Sequence, residues 1–566
     1  VAISGTTRYR SGLLNKEWKD NFFATFFNSG KIVRLQIEQK GSTYRAVQRE
    51  FLSSESRDFH PTDVLEDVDG SLLVVDTGGW FYRGCPTSQI AKPDIYGAIY
   101  RVVKKDLKTL QDPTGSKIDW ANLSEEQLID LFNDDRHLVR EHALSESELR
   151  GSEMISALNE ALKNNSQQIR LNSVWALTRI IGKLIALEQT PVAQGKPRLT
   201  YKRPVSQAHA AIGIALKDHS ATVRQAACHC LMNYPDQKSQ AQLLTILKGD
   251  EPSVRRVCAA ALGRMKSPET IPAILSALAK DVDREEEHAL IYALIEIQAP
   301  ETIELGLKVN SANVQRASLI AISQLDKDRL TPELVASLLE KPDDKLGEAV
   351  MRLFKEHTKQ SEWAWQAARL MKSWAENGEL LRRKNIVQKL IVHFGGTEGV
   401  AEQIGLALQQ VSKNPELREL LLTAMAQSNG LTLHSTWVPA LEQELNSGDP
   451  ARIDQVLLSI AAIKTDHFNQ QLQAIGANEK YSPLLRVRAL SSIGGKSTQL
   501  NDEAFSLLIH LLNNSHQGSE TNIAAQLIGS SALTKKQLLA LAPVIAEAGP
   551  TILLELLRPF QKIQRS

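Results

Sequence analysis

The residues best suited to chemistry stand together in Asp58-Phe59-His60-Pro61-Thr62-Asp63-Val64, with Asp67, Asp69 and Asp76 close behind. Imidazole titrates near neutrality, so His60 beside a carboxylate such as Asp63 is a candidate general base or ligand. The same acids have a plainer use, since Asp side chains often cap turns and hairpins. Asp67-Val68-Asp69-Gly70 opens like a calcium loop, but the later ligands of that motif are missing. A second unusual stretch, Cys85-Pro86-Thr87-Ser88, follows Gly78-Gly79-Trp80. It reads either as a constrained loop or as a simple connection between sheet units.

Other clusters read as structure. Asp281 to His288 is acidic but lacks the His-Glu-x-x-His spacing of a zinc site, and reads as the solvated start of a helix. Cys228, Cys230 and Cys258 make no C-x-x-C pair and no haem-attachment motif, so they read as small buried hydrophobes. Four cysteines are too few for a disulfide framework in a chain of 566 residues. Trp363, Trp365 and Trp374 share one helical stretch and read as core anchors between repeats. No phosphate-binding glycine loop and no nucleophile elbow occurs.

The elements that must carry these residues change character along the chain. Up to about residue 104, short apolar runs alternate with turn signals: Asn28-Ser29-Gly30, Lys40-Gly41-Ser42 and Asp67-Val68-Asp69-Gly70. Gly in such turns tolerates a positive φ, and an Asp-Gly between apolar runs marks a hairpin. Six or seven closely spaced strands are the cue for a sandwich, barrel or propeller, and too few for a closed propeller. Residues 1–106 are therefore expected to be the last blades of a β-propeller whose beginning lies outside this chain. Residues 107–122, with Asp112, Pro113 and Gly115, read as a linker. Ser124 followed by Glu125-Glu126-Gln127 then looks like a capped helix start.

From about residue 123 to the end a helical repeat is expected. A branched residue followed by Arg recurs as Val139-Arg140, Ile169-Arg170, Val223-Arg224 and Val254-Arg255, with arginine spacings of 30, 54 and 31. Val314-Gln315-Arg316 is a weaker copy and Val487-Arg488 a later one. Each precedes a helix of small apolar residues. A period near 30 with two helices per unit is the sign of a HEAT-like solenoid, whose units bury their apolar faces by stacking. In that setting each Arg can cap carbonyls or pair with an acid of the next repeat. The long gap holds an insertion, about 182–207, with Lys196, Arg198, Lys202 and Arg203. Repeat insertions map to loops on one face, often the binding face, so these four are candidate partner contacts, with a solvated linker as the alternative. The expected fold class is thus multidomain α+β: a partial propeller, then an all-α solenoid.

Lys and Arg total 66 against 65 Asp and Glu, a net charge of +1, with no basic excess for a nucleic-acid backbone. The most apolar stretch, Leu538 to Leu557, is broken by Glu547, Pro550 and Glu555, and reads as two amphipathic helices rather than a membrane span. No signal peptide is visible.

Asp58 through Trp80, together with Cys85-Pro86-Thr87-Ser88-Gln89, Lys92-Pro93-Asp94 and Gly97-Ala98-Ile99-Tyr100-Arg101, closely resembles a stretch in the PVC-type putative membrane-bound dehydrogenases. The resemblance spans about residues 8–103 and is loose over the repeats. It implies a propeller related to glucose and sorbosone dehydrogenases, followed by HEAT repeats and often a cytochrome c domain. It further implies extracytoplasmic, periplasmic-type oxidation of a sugar-like alcohol or aldehyde, with pyrroloquinoline quinone and calcium as cofactors and haem as acceptor. One departure stands out: His60 and Thr62 occupy positions where related enzymes carry quinone-holding arginines. His60 and Asp63 are the catalytic candidates. Two functions are thereby open: a quinone-dependent dehydrogenase fragment, or a non-catalytic scaffold in which propeller and solenoid both present surfaces to a protein partner.

Overall fold

The structure, a computed structural model, describes residues 3–79, 94–105, 111–190, 200–340, 342–410, 414–493, 500–514 and 519–563. The chain divides into two compact units, Val1–Lys327 and Asp328–Ser566.

The first unit opens with β1 (Ile3–Arg8), β2 (Phe22–Phe26), β3 (Lys31–Lys40) and β4 (Thr43–Ser53), an antiparallel sheet in chain order. A second antiparallel sheet holds β5 (Pro61–Glu66), β6 (Leu72–Asp76) and β7 (Ala98–Val102). Tyr9, Phe23, Ile32, Phe59, Val64, Leu72 and Val74 are buried in one cluster contributed by both sheets. The Tyr9 hydroxyl donates to Gly70 O at 2.8 Å, which ties the first sheet to the β5–β6 turn.

The propeller expectation is corrected by this topology. The β-region is two open antiparallel sheets, and no sheet closes. The reason is physical: the two sheets bury their apolar residues in a shared cluster instead of repeating radially about an axis. The long β3–β4 hairpin makes the difference plain. Its two-residue turn, Gly41-Ser42, has Gly41 at φ 59°, a conformation that glycine adopts without strain. Its tip docks on the helices described next.

Those helices are α1 (Glu125–Asp130), α2 (His137–Arg150), α3 (Ile155–Ala161), α4 (Gln167–Gln189), α5 (Lys202–Ala215) and α6 (Ala221–Asn233), followed by α7 (Gln240–Gly249), α8 (Pro252–Met265), α9 (Ile271–Leu278), α10 (Arg284–Ile297), α11 (Pro300–Glu304) and α12 (Ala312–Leu325). Helices α2, α4, α6, α8, α10 and α12 stack in order as one layer; α3, α5, α7 and α9 belong to the other. Ser124 begins α1 with a capping box, and Pro252 opens α8, where a missing N–H costs nothing. Gly263 lies so close to Ala293 of α10 that a side chain there would clash with its Cα, which is why the α8 motif ends Ala-Leu-Gly.

Arg140 donates only to the carbonyls of Asp134 and Asp135, whereas the next three arginines of the repeat both cap carbonyls and pair with an acid. Arg170 forks onto Asp218 of the next repeat at 2.7 and 3.2 Å and donates to Asn164 O. Arg224 forks onto Asp250 at 2.7 and 2.5 Å and donates to Asp218 O. Arg255 forks onto Glu286 at 2.6 and 2.7 Å and donates to Asp250 O. The result is a ladder in which Asp218 and Asp250 each accept from the arginine before them and offer their carbonyls to the next, and Glu286 accepts from Arg255. Bidentate arginine–carboxylate pairs are the strong, geometrically selective kind. Arg316 of α12 departs from this pattern: it reaches back to Glu287 of α10 through one guanidinium nitrogen.

Three expectations change here. Asp281 to His288 is not merely a solvated helix start, because Glu286 is 1 % exposed and paired with Arg255. Helix α4 runs to Gln189 and α5 begins at Lys202, so Lys202 and Arg203 are helical rather than loop residues. Segment 111–122 packs on the first repeat: Arg136 donates to Asp112 O at 3.0 Å, and Trp120 stacks on His142 with ring centroids 3.9 Å apart.

The second unit is all-helical among its described residues, from Pro332 to Ile563. Serine rungs link neighbouring repeats: Ser428 donates to Ile391 O, Ser459 to Leu422 O and Ser492 to Leu457 O. Trp363 and Trp374 are each 4 % exposed and act as anchors, whereas Trp365 is 61 % exposed and does not. Residues two apart point to opposite sides of a helix, which separates Trp365 from the other two. Leu538 to Leu557 falls in two helices, Lys535–Glu547 and Pro550–Ile563. Among the described residues no helix is long and apolar enough to cross a membrane.

Candidate functional site

His60 and Asp63 sit where β5 begins, but their side chains are engaged with the backbone. Nδ1 of His60 lies 2.8 Å from Gly78 O and 3.1 Å from Asp58 O. Two carbonyl neighbours require that Nδ1 carry the proton. The His60 amide donates to Asp76 Oδ1 at 2.8 Å, and its ring lies beside Phe27. Asp63 Oδ1 accepts from Val64 N at 2.8 Å and abuts Gly5 of β1, and no hydrogen bond joins it to His60. Thr62 Oγ1 donates to Val75 O at 3.2 Å. His60 and Thr62, the pair at the quinone-clamp positions, therefore donate to main-chain carbonyls, which does not fit a clamp on carboxylates.

The neighbouring acids cap and pair. Asp69 accepts from Ser71 N and Oγ, and Asp67 and Asp69 both bind Arg101 of β7, at 2.7 and 3.0 Å. The Ser71 hydroxyl foremost, with the Ser71 amide and Arg101, holds the Asp69 carboxyl below its usual range against partial desolvation. A donor set already occupied by an arginine does not fit calcium, and among the described residues no His, Cys, Asp and Glu group could hold a metal ion. Trp80 and Cys85-Pro86-Thr87-Ser88 lie outside the described residues, as do Lys196 and Arg198. His60→Ala is expected to act on structure: faster amide exchange at residues 77–79 and a loss of about 1–2 kcal/mol, read by hydrogen exchange and urea denaturation.

The cysteines are inert core residues. Cys228, Cys230 and Cys258 are fully buried, and burial pushes the Cys230 thiol up to about 12. In a Cys85→Ser background, Ellman's reagent at pH 8 is expected to find no reactive thiol until the protein unfolds.

The repeats themselves build a larger feature. A groove of about 830 Å³ runs from the α3–α4 loop across α5 to α7. Lys163, Lys217, His219, Lys238, Ser206 and Gln242 are among its lining residues. Its permanent cations are Lys163, Arg170, Lys217 and Lys238 against two carboxylates, Asp218 and Asp236. Asp218 is already held by Arg170 with both side chains nearly buried, so its charge is spent inside the ladder. Asp236 accepts from Ser239 Oγ at 3.1 Å. His209 forms part of the wall, its Nε2 3.1 Å from Tyr234 O, and burial lowers its pKa. Lys202 and Arg203 are exposed one turn before Ser206 on α5, and Lys238 Nζ lies 3.4 Å from Ser206 Oγ.

This groove was not anticipated from the sequence, although a signal for it exists. Lys163, Lys217, Lys248, Lys280 and Lys308 recur once per repeat, at the C-terminal ends of the helices of the second layer, and all are exposed. Cations favour helix C-termini, which accounts for the placement. The acids that follow two of them, Asp218 and Asp250, are consumed by Arg170 and Arg224. Lys163 pairs with the exposed Glu160 at 2.6 Å, but among the described residues the other four lysines have no carboxylate within 4 Å, so a lysine edge with few matching surface acids results.

A second contact ties the β-region to the repeats. Asp283, the N-cap of α10, accepts from Ser42 N and Ser42 Oγ at 2.6 Å each and from Glu286 N at 2.9 Å. Arg256 Nε donates to Ser42 O at 2.9 Å. The hairpin tip is thus held from both sides.

Residues 210–295 match the HEAT-repeat family, which covers the C-terminal part of α5, all of α6 to α9 and most of α10. No curated protein matches the chain. Among solved structures, Kap121p bound to Ste12p matches at 12 % identity and a TM-score of 0.46, over 77 % of this chain and 53 % of that one. Kap121p bound to RanGTP matches at 11 % identity and a TM-score of 0.41, over 72 % and 48 %. Importin beta matches at 13 % identity and a TM-score of 0.29, over 78 % and 74 %. The chain spans about half the length of the first of these. Likenesses this distant carry nothing about partners. The family match lies wholly within the repeats and gives no support to a dehydrogenase family or a propeller.

Proposed function

We propose that this chain is a protein-interaction scaffold: a HEAT-repeat solenoid that presents a polar, cationic groove to a segment of a partner protein. The observation that carries the reading is the groove from the α3–α4 loop across α5 to α7, lined by residues of successive repeats. Stacked repeats generate extended binding surfaces of this kind because each unit repeats the same side-chain geometry. Lys202 and Arg203 flank the groove at the start of α5 and are proposed as partner contacts, with Lys196 and Arg198 in the segment before them. The dehydrogenase reading gains no support from His60, Thr62 or Asp63, whose bonds go to the chain's own backbone.

The test is an unbiased peptide-display selection on the full chain. Enriched peptides that bind saturably, and that lose binding when the chain is unfolded, are the expected result. A selection that enriches nothing above an unrelated helical-repeat control overturns the reading.

A further inference from the structure

We infer that the groove from the α3–α4 loop across α5 to α7 takes an extended, acidic peptide segment of the partner, an inference that rests on the scaffold reading. Charge points first in this direction. Lys217 and Lys238 line the groove, and among the described residues neither has a carboxylate within 4 Å. Of the two acids present, Asp218 is neutralised by a nearly buried arginine. Cations with no acidic partner among the described residues are available to a ligand without first breaking an ion pair, which is what electrostatic complementarity requires.

Shape and hydrogen-bonding chemistry point the same way. The lining side chains come from three successive units of the solenoid, so contacts are strung along the groove rather than gathered at one point. Asn164, Asn165 and Gln242 supply amides, which both donate and accept and so match the alternating N–H and C=O of an extended backbone. Gln242 Oε1 is buried with no donor among the described residues. Ile214, 44 % exposed, offers an apolar contact at the C-terminal end of α5. A nucleic acid fits less well. Phosphate-backbone binding calls for a basic excess, and the chain has 66 cations against 65 anions.

The experiment is a fluorescence-anisotropy titration of the full chain with a labelled peptide of a dozen residues rich in Glu and Asp around a central Leu. The comparison probes are its Gln/Asn counterpart, a Lys-rich counterpart and a single-stranded oligonucleotide of equal length. Lys217 and Lys238 are exposed, so Lys217→Glu with Lys238→Glu is expected to fold, as checked by circular dichroism. The acidic peptide is expected to bind the wild type more tightly than the other probes and to weaken by about ten-fold or more in the double variant. Ala210→Trp, an exposed groove position, is expected to block binding without changing charge. The inference is overturned if the acidic peptide does not bind the wild type, if the double variant and Ala210→Trp bind it unchanged, or if the oligonucleotide binds better. Should display selection instead return neutral or basic peptides, the acidic-segment inference fails while the scaffold reading stands.

Discussion

Arg170→Met is expected to lower the unfolding free energy by about 3–5 kcal/mol, the largest effect of any single substitution in the ladder. The pair it breaks is nearly dry: the Arg170 side chain is 3 % exposed and that of Asp218 is 6 %. Removing the arginine strands a buried carboxylate and also frees the carbonyls of Asn164 and Asn165. Ser220 N still donates to Asp218, which offsets only part of the loss. Adding Asp218→Asn to Arg170→Met is expected to recover a fraction of the stability, because the stranded charge is gone while the Ser220 bond can remain. Urea denaturation followed by far-ultraviolet circular dichroism reads both. If the single variant loses less than about 1 kcal/mol, the ladder is not what couples these repeats.

Asp283→Ala is expected to release the β3–β4 hairpin tip. The carboxylate accepts two bonds from Ser42, and charge-assisted bonds are worth about 1.5–3 kcal/mol each. Loss of about 3 kcal/mol of local protection corresponds to roughly a hundred-fold faster opening. Trypsin cleavage after Lys40 and Arg45, which flank the turn, is the readout, and Asp283→Asn is expected to fall between wild type and alanine. Desolvation, the largest single influence, pushes the Asp283 carboxyl up; the bonds from Ser42 and from the Glu286 and Glu285 amides outweigh it and hold the carboxyl below its usual value. A depressed carboxylate contributes stability above its unfolded pKa, near 3.9, and loses it as pH falls through the lower folded value. Hairpin protection is therefore expected to stay flat from neutral pH to about pH 4 and to decay only below it.

How much of this was legible depends on sequence distance. The Val-Arg period and the small residues after it are local, so the solenoid could be read from Arg140, Arg170, Arg224 and Arg255 alone. Their partners could not. Asp218, Asp250 and Glu286 stand at different offsets from their arginines, and only stacking brings each pair together. The grip of Asp283 on Ser42 joins residues 241 apart, and no periodicity marks it. The strands and turns of the first hundred residues were legible as elements, but how two sheets share one core is a matter of packing, and there the propeller expectation failed. His60 and Asp63 were singled out by residue type alone, and no sequence signal showed that each also has a backbone partner. Trp365 was misplaced for a local reason, since its offset from Trp363 already sets it on the other side of the helix. The lysine row from Lys163 to Lys308 was equally periodic in the sequence, yet its meaning depends on knowing that Asp218 and Asp250 are spent elsewhere.

The most direct measurement is lysine footprinting of the full chain with and without a display-selected peptide, by acetylation at neutral pH and mass spectrometry. Lys217 and Lys238 are expected to become several-fold less reactive on binding, while Lys31 and Lys536, outside the groove, keep their reactivity. A saturably bound peptide that leaves Lys217 and Lys238 as reactive as in the free protein would contradict the assignment of this groove as the partner site.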